Sequence, residues 1–216
     1  MHPSRRLAAL LAAAALAACG PATPDAADAR ADSAAAADTT TAADTAAAAA
    51  QDAFWARLTA LCGNAYRGEL AEGNESDSLF RRVALVMHVR ECAPTEIRIP
   101  FHAGDDRSRT WVLTRTADGL RLKHDHRHAD GGEDRVTQYG GDTRDAGTAE
   151  RQEFHADAHT AALIPAASAN VWTVEVVPGE RFAYALRREG TDRRFRVAFD
   201  LTAPVAAPPA PWGAVK

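Results

Sequence analysis

From about Ala65 to Leu201, apolar side chains recur at every second position in short runs, separated by glycine, proline or aspartate. A period of two is the spacing of a β-strand, whose successive side chains point to opposite faces. In Val83–Arg90 one face collects Val83, Leu85, Met87 and Val89; in Thr95–Phe101, Ile97, Ile99 and Phe101 alternate with Glu96 and Arg98. Ala65–Leu70, Arg109–Thr116, Leu120–His128, Val171–Val177, Arg181–Arg187 and Arg194–Leu201 read as further strands, with another around Gln152–His155. Turns are marked by Glu91-Cys92-Ala93-Pro94, Gly104-Asp105-Asp106, Asp118-Gly119, Pro178-Gly179 and Glu189-Gly190. Connections this short make neighbours antiparallel. The expected fold class is therefore mostly β: an antiparallel meander of about eight to ten strands, closed as a barrel or folded as a sandwich. One short helix precedes it, because Phe54, Trp55, Leu58 and Leu61 repeat at helical spacing and Cys62-Gly63 ends the run.

Two hairpins allow the register to be worked out. Asp118-Gly119 favours a two-residue type I′ loop. That loop pairs Ala117 with Leu120, Arg115 with Leu122, Leu113 with His124 and Trp111 with His126. One face then carries Trp111, Leu113, Leu120, Leu122, His124 and His126; the other is solvent-facing apart from Val112. In the later hairpin a three-residue loop, Pro178 to Glu180, sets Trp172, Val174 and Val176 opposite Leu186, Tyr184 and Phe182.

The chain divides into four stretches. Residues 1–18 carry Arg5 and Arg6, then an apolar run from Leu7 to Ala18, about a dozen residues and too short to span a bilayer, which takes ~20. The order fits a secretory signal peptide, and its end, Leu16-Ala17-Ala18-Cys19, resembles the lipobox of bacterial lipoproteins. The resemblance implies a lipid-modified Cys19 and a membrane partner reached through that lipid. Gly20 rather than Asp at the next position implies the outer membrane, facing the periplasm. Residues 19–50 are almost all Ala, Asp and Thr, a composition that cannot bury enough surface to offset ordering entropy; they read as a tether. Residues 51–202 form the β-rich domain, and 203–216, with Pro204, Pro208, Pro209 and Pro211, an extended tail.

The formal net charge of −4 comes with no basic face, so nucleic acid is not an expected partner. In an oxidising compartment the remaining cysteine pair, Cys62 and Cys92, is expected as a disulfide, with two buried free thiols as the alternative.

The chemical anomaly is His124-Asp125-His126-Arg127-His128. If the strand continues, the three histidines share the face of Leu120 and Leu122 and run toward an open end. Neutral imidazole is a common metal ligand, and His124, His126 and His128 could hold zinc or another transition metal, with Asp130 or Glu133 nearby. The other reading is structural hydrogen bonding at a rim. The spacing Gly119…His124-x-His126…Glu133…Gly140 has a distant likeness to the first cupin motif, but two of its gaps differ and no second motif follows. Asn74-Glu75-Ser76 meets an N-glycosylation pattern that means little in a bacterial protein. No GxSxG, HExxH, phosphate-binding or dinucleotide glycine pattern is present, so no catalytic residue is assigned.

The stretches LCGNAYRGEL, LVMHVREC, IRIPFHAGDDRSRTWVLTR, LKHDHRHADG and FRVAFDL resemble an uncharacterised family of exported Gram-negative bacterial proteins. That likeness implies an envelope address and no mechanism. A leading helix with a β-meander is also similar to calycin-like barrels, which bind small apolar ligands; the analogy is one of fold only. The expected function is a membrane-tethered domain that binds a small ligand or serves the envelope structurally, more readily than an enzyme. A metal-binding or metal-dependent activity at the histidines is the alternative. Changing Cys19 to Ser is expected to move the protein from the membrane fraction to the soluble periplasm. Continued pelleting with membranes would refute the lipid anchor.

Overall fold

The computed structural model describes residues 45–214. Cys19, the leader and most of the tether lie outside the described residues. Among the described residues a helix, α1, covers 45–59 and so includes the last residues of the stretch assigned to the tether. The alanines of that stretch carry helix propensity, and the fold gives the helix a buried side.

Eleven strands follow: β1 (Ala65–Gly73), β2 (Leu85–His88), β3 (Glu91–Cys92), β4 (Glu96–Ala103), β5 (Asp106–Thr116), β6 (Gly119–His126), β7 (Tyr139–Asp142), β8 (Arg151–Ala156), β9 (Asn170–Val177), β10 (Arg181–Arg188) and β11 (Arg194–Asp200). The sheet order is β2-β1-β11-β10-β9-β8-β7-β6-β5-β4-β3, and β2 also pairs with β4. That pairing closes ten antiparallel strands into a barrel, with β3 as an extra strand on β4. The barrel alternative therefore holds, and the sandwich does not. Glu91-Cys92, expected as part of a turn, forms β3 by pairing with Arg98 and Ile97.

Pairing across β9 and β10 sets Val176 against Phe182, Val174 against Tyr184 and Trp172 against Leu186, the register expected from a three-residue loop. The β5–β6 hairpin departs from expectation. Thr116 pairs with Gly119, Leu113 with Leu122, Trp111 with His124 and Arg109 with His126, so the turn residues are Ala117 and Asp118. A type I′ loop needs φ > 0 at both central residues. Neither Ala117 nor Asp118 takes a positive φ, and Gly119 carries φ +139° as the first residue of β6. The slip is two residues, so every side chain keeps its face.

Inward positions fill the barrel. Ile97, Ile99, Leu113, Leu122, Val176, Phe182 and Val197 are wholly buried, each contributing roughly 1.5–3 kcal/mol by leaving water. Gly68 makes room for the Phe199 ring, which would lie 2.5 Å from a Cβ at that position. One end is plugged by α1. Phe54 and Leu58 are buried in the core, Arg115 at the end of β5 stacks over Trp55, and Arg57 pairs with Glu150 at 2.9 Å. Cys62 and Cys92 form a disulfide with Cα atoms 6.3 Å apart, tying the end of the plug segment to β3.

Outside, Glu175 binds Arg196 and Arg151, and Glu153 binds Arg151 and Arg187, a cross-strand ladder of charges. Apolar inside and charged outside is the reverse of a transmembrane barrel; no helix among the described residues is long and apolar enough to cross a membrane. The C-terminal segment is not a free tail. The Val205 N–H donates to Ala65 O, the Trp212 N–H to Arg107 O, and Arg107 Nη1 to Ala210 O. It lies beside the outward face of β4–β6, where Thr110, Val112 and Asp125 are buried instead of solvated.

Replacing Cys62 and Cys92 together by serine is expected to lower unfolding free energy by about 3–4 kcal/mol, the loop-closure value for this separation. The urea midpoint should fall accordingly. An unchanged midpoint would show that the bond constrains nothing.

Candidate binding site

The end opposite α1 is the barrel's mouth. There the last inward residues of β4, β6 and β10 and the first of β5, β7 and β11 come together, covered from the side by a short 3-10 helix, Glu75–Arg81, between β1 and β2. We call this segment the mouth helix. It begins with a reciprocal cap. The Asn74 N–H donates to Asp77 Oδ2 at 2.9 Å, and the Asp77 N–H returns to Asn74 O. Asp77 is buried and receives Arg193 in a two-pronged pair, with Nη2 to Oδ1 at 2.9 Å; Arg193 also donates to Asn74 Oδ1 at 2.9 Å.

Between the mouth helix and the strand ends lies a cleft of about 150 Å³. Its wall is aromatic. Trp111 stacks on Tyr184 with centroids 4.4 Å apart and on Phe101 at 4.9 Å; His124 stacks on Tyr139 at 4.5 Å. Phe80 from the mouth helix stacks on Phe101 at 6.0 Å and meets Phe195 edge-on at 5.3 Å. Arg109 lies over the Phe80 ring at 5.6 Å and pairs with Asp106 through Nη1. Larger depressions exist on the outer wall, of about 620 and 670 Å³, over charged strand faces and the tail.

The register explains the row at the base of the cleft. Trp111, His124 and Tyr139 are directly paired across β5, β6 and β7. His124 is buried and both ring nitrogens are engaged: Nδ1 is 3.0 Å from Tyr139 O and Nε2 2.7 Å from the Tyr184 hydroxyl. A carbonyl only accepts, so Nδ1 carries the proton. Nε2 then accepts from Tyr184. Burial pushes the His124 pKa down to about 3 and the Tyr139 hydroxyl up to about 12, and raises Tyr184 well above its ordinary value. His126 sits higher in the mouth, with Nε2 3.2 Å from the Tyr139 hydroxyl; burial and the nearby Arg109 lower its pKa.

His124 and His126 thus turn inward as expected, but His128 does not join them. It lies past the end of β6, exposed, in the turn that returns to Gly132. The strand stops two residues short of it, so the three imidazoles do not converge. Among the described residues no group of three or more His, Cys, Asp or Glu is placed to hold a metal ion. Asp130 and Glu133 also stay outside, capping the turn and pairing with Arg127.

Several residues of the cleft escape a reading of the sequence. Arg109 comes beside His126 only through the two-residue slip of the hairpin. Asp77 and Phe80 belong to a helix with no apolar repeat, whose one signal is Asn74 followed three residues later by Asp77. No protein family, curated protein or solved structure matches the chain.

His124 and, on the outward side of β4, buried His102 are both held neutral by desolvation, His102 with its pKa near 4 and its Nε2 without a hydrogen-bond partner. Each is charged below about pH 6.5 only when unfolded, so the unfolded state binds more protons and stability falls as pH drops. Urea unfolding at pH 7, 6 and 5 should show unfolding free energy decreasing below pH 6.5 by up to about 1.4 kcal/mol per pH unit for each such histidine. His102→Gln should make the slope shallower. A flat profile in the wild type would contradict the neutral assignment.

Proposed function

We propose that this chain is an exported, lipid-anchored domain that holds a small ligand in the mouth of its barrel, and that it is a binding protein, not an enzyme. The observation that carries this reading is the cleft itself. In a barrel otherwise packed with side chains, it is an inward-facing space walled by rings and bordered by a few polar groups, the composition of a small-molecule site. An apolar cavity of this size accommodates a ligand about as large as benzene.

Binding is favoured over acid–base chemistry by the state of the titratable groups. His124 has spent both nitrogens, and Tyr139 and Tyr184 stay neutral far above physiological pH. A general acid or base works best with a pKa near the working pH. His124, Tyr139 and Tyr184 are held far from that range.

The anchor rests on the lipobox-like Leu16-Ala17-Ala18-Cys19 and the Ala/Asp/Thr spacer, which favour the outer membrane and a periplasmic domain.

The test is a thermal-shift screen of the full chain against small ring-containing and aliphatic amphiphiles. A compound at 100 times its Kd should stabilise the fold by about 2.7 kcal/mol. Leu186→Trp, which puts a large ring into the cleft wall, should abolish that shift while leaving the protein folded by circular dichroism. Shifts that survive Leu186→Trp, or no shift with any compound, would overturn the proposal.

A further inference from the structure

The charges around the cleft are not equivalent, and the difference selects a ligand. Asp77, Arg109 and Arg193 border it. Asp77 is largely committed: one oxygen receives Arg193, and the other receives both Arg193 and the Asn74 N–H, three of about four acceptor sites. Arg193 is committed through Nη1 to Asp77, Asn74 and the Arg194 carbonyl and through Nη2 to Asp77, so its charge is held by a buried carboxylate. Arg109 is different. Its described hydrogen bond runs from Nη1 to Asp106, leaving most of the five donors of a guanidinium uncommitted. Its guanidinium is already fixed over an aromatic face, that of Phe80, 5.6 Å from the centroid. The deeper groups are neutral rings, so the cleft presents an aromatic wall with one partly unsatisfied cation at its edge.

Resting on the pocket reading above, we propose that the ligand is a single-ring aromatic carboxylate, its ring packed between Trp111, Tyr139 and Phe80 and its carboxylate on Arg109. A planar ring matches walls that are themselves stacked rings, where aromatic pairs add to simple burial. A carboxylate matches the fork of a guanidinium, which can donate two parallel N–H bonds to it. A cationic ring would meet Arg109 without a usable carboxylate to offset it. A cleft of about 150 Å³ suits a small ligand in which ring and carboxylate are joined directly or through few atoms.

The experiment uses the purified full chain and four probes: benzoate, benzamide, benzylamine and cyclohexanecarboxylate, titrated by tryptophan fluorescence and calorimetry. Benzoate should bind at least about tenfold more tightly than benzamide, the size of one charge-assisted hydrogen-bonded contact, more tightly than cyclohexanecarboxylate, which keeps the carboxylate and loses the aromatic pairing, and benzylamine should bind weakest. Arg109→Gln should erase the preference of benzoate over benzamide. Arg109→Lys, which keeps the charge and loses the fork, should restore part of the preference and shows whether the Gln variant failed through charge or through folding. If benzamide or benzylamine binds as well as benzoate in the wild type, the ligand class is overturned while the pocket stands. The ligand class is overturned equally if Arg109→Gln keeps the preference. If none of the four probes binds and no compound shifts the melting temperature in the wider screen, the pocket reading itself falls.

Discussion

Ten strands closed on themselves have no free edge, but they have two open ends, and the interior of this barrel is apolar along its whole length. An unprotected end would expose Leu, Ile and Phe to water. The pairing of β2 with β4 closes the wall; the two ends are then treated in opposite ways. Helix α1 and the turn after it seal one with Phe54, Trp55, Leu58 and Leu61, held from the rim by Arg115 over Trp55 and by the Cys62–Cys92 bond. The other is finished with rings that carry polar atoms, Trp111, His124, Tyr139 and Tyr184, so that the core grades into water instead of stopping at it.

That finish requires complete hydrogen bonding, because a buried polar atom without a partner costs roughly 1–3 kcal/mol. His124 meets the requirement with two partners on two different strands, the neighbouring β7 and β10, four strands away from β6 round the barrel. One imidazole therefore ties two parts of the wall together at the level of the cleft. The mouth helix depends on a second polar device. Apart from Phe80 it contributes little to the core, and Leu79 is half exposed. Its position is set by Asp77, which binds the helix's own start and Arg193 ahead of β11. The cleft is what remains between these two constraints.

The sequence was most legible where period and turn chemistry agreed. The β9–β10 register followed from a three-residue loop flanked by Val176 and Phe182. Asp118-Gly119 named the right hairpin and the right faces but the wrong partners, because Asp118 keeps negative φ and the glycine serves the strand. Period-two patterns determine a face and leave a two-residue slip open. Four features left no periodic trace. The tail's prolines forbid a ladder, yet Val205 and Trp212 still dock by single backbone bonds. Glu91-Cys92 is too short to show alternation. The mouth helix has one capped turn and no stripe. His128 required knowing where β6 stops, and that depends on the return of the chain through Gly131 and Gly132.

The same asymmetry of ends bears on what the molecule is suited to do. A barrel sealed at both ends is a spacer; one open at both is a channel. At the sealed end the first described turns of α1 lie beside the β5–β6 turn and Thr143. The Cys62–Cys92 bond ties the segment after α1 to β3, which pairs with β4, and the far end of β4 carries Phe101 in the cleft wall. The cleft lies at the opposite end from the plug, and its rings hold one another from the mouth ends of their strands. A site meant to meet small molecules from the surrounding fluid is best placed there.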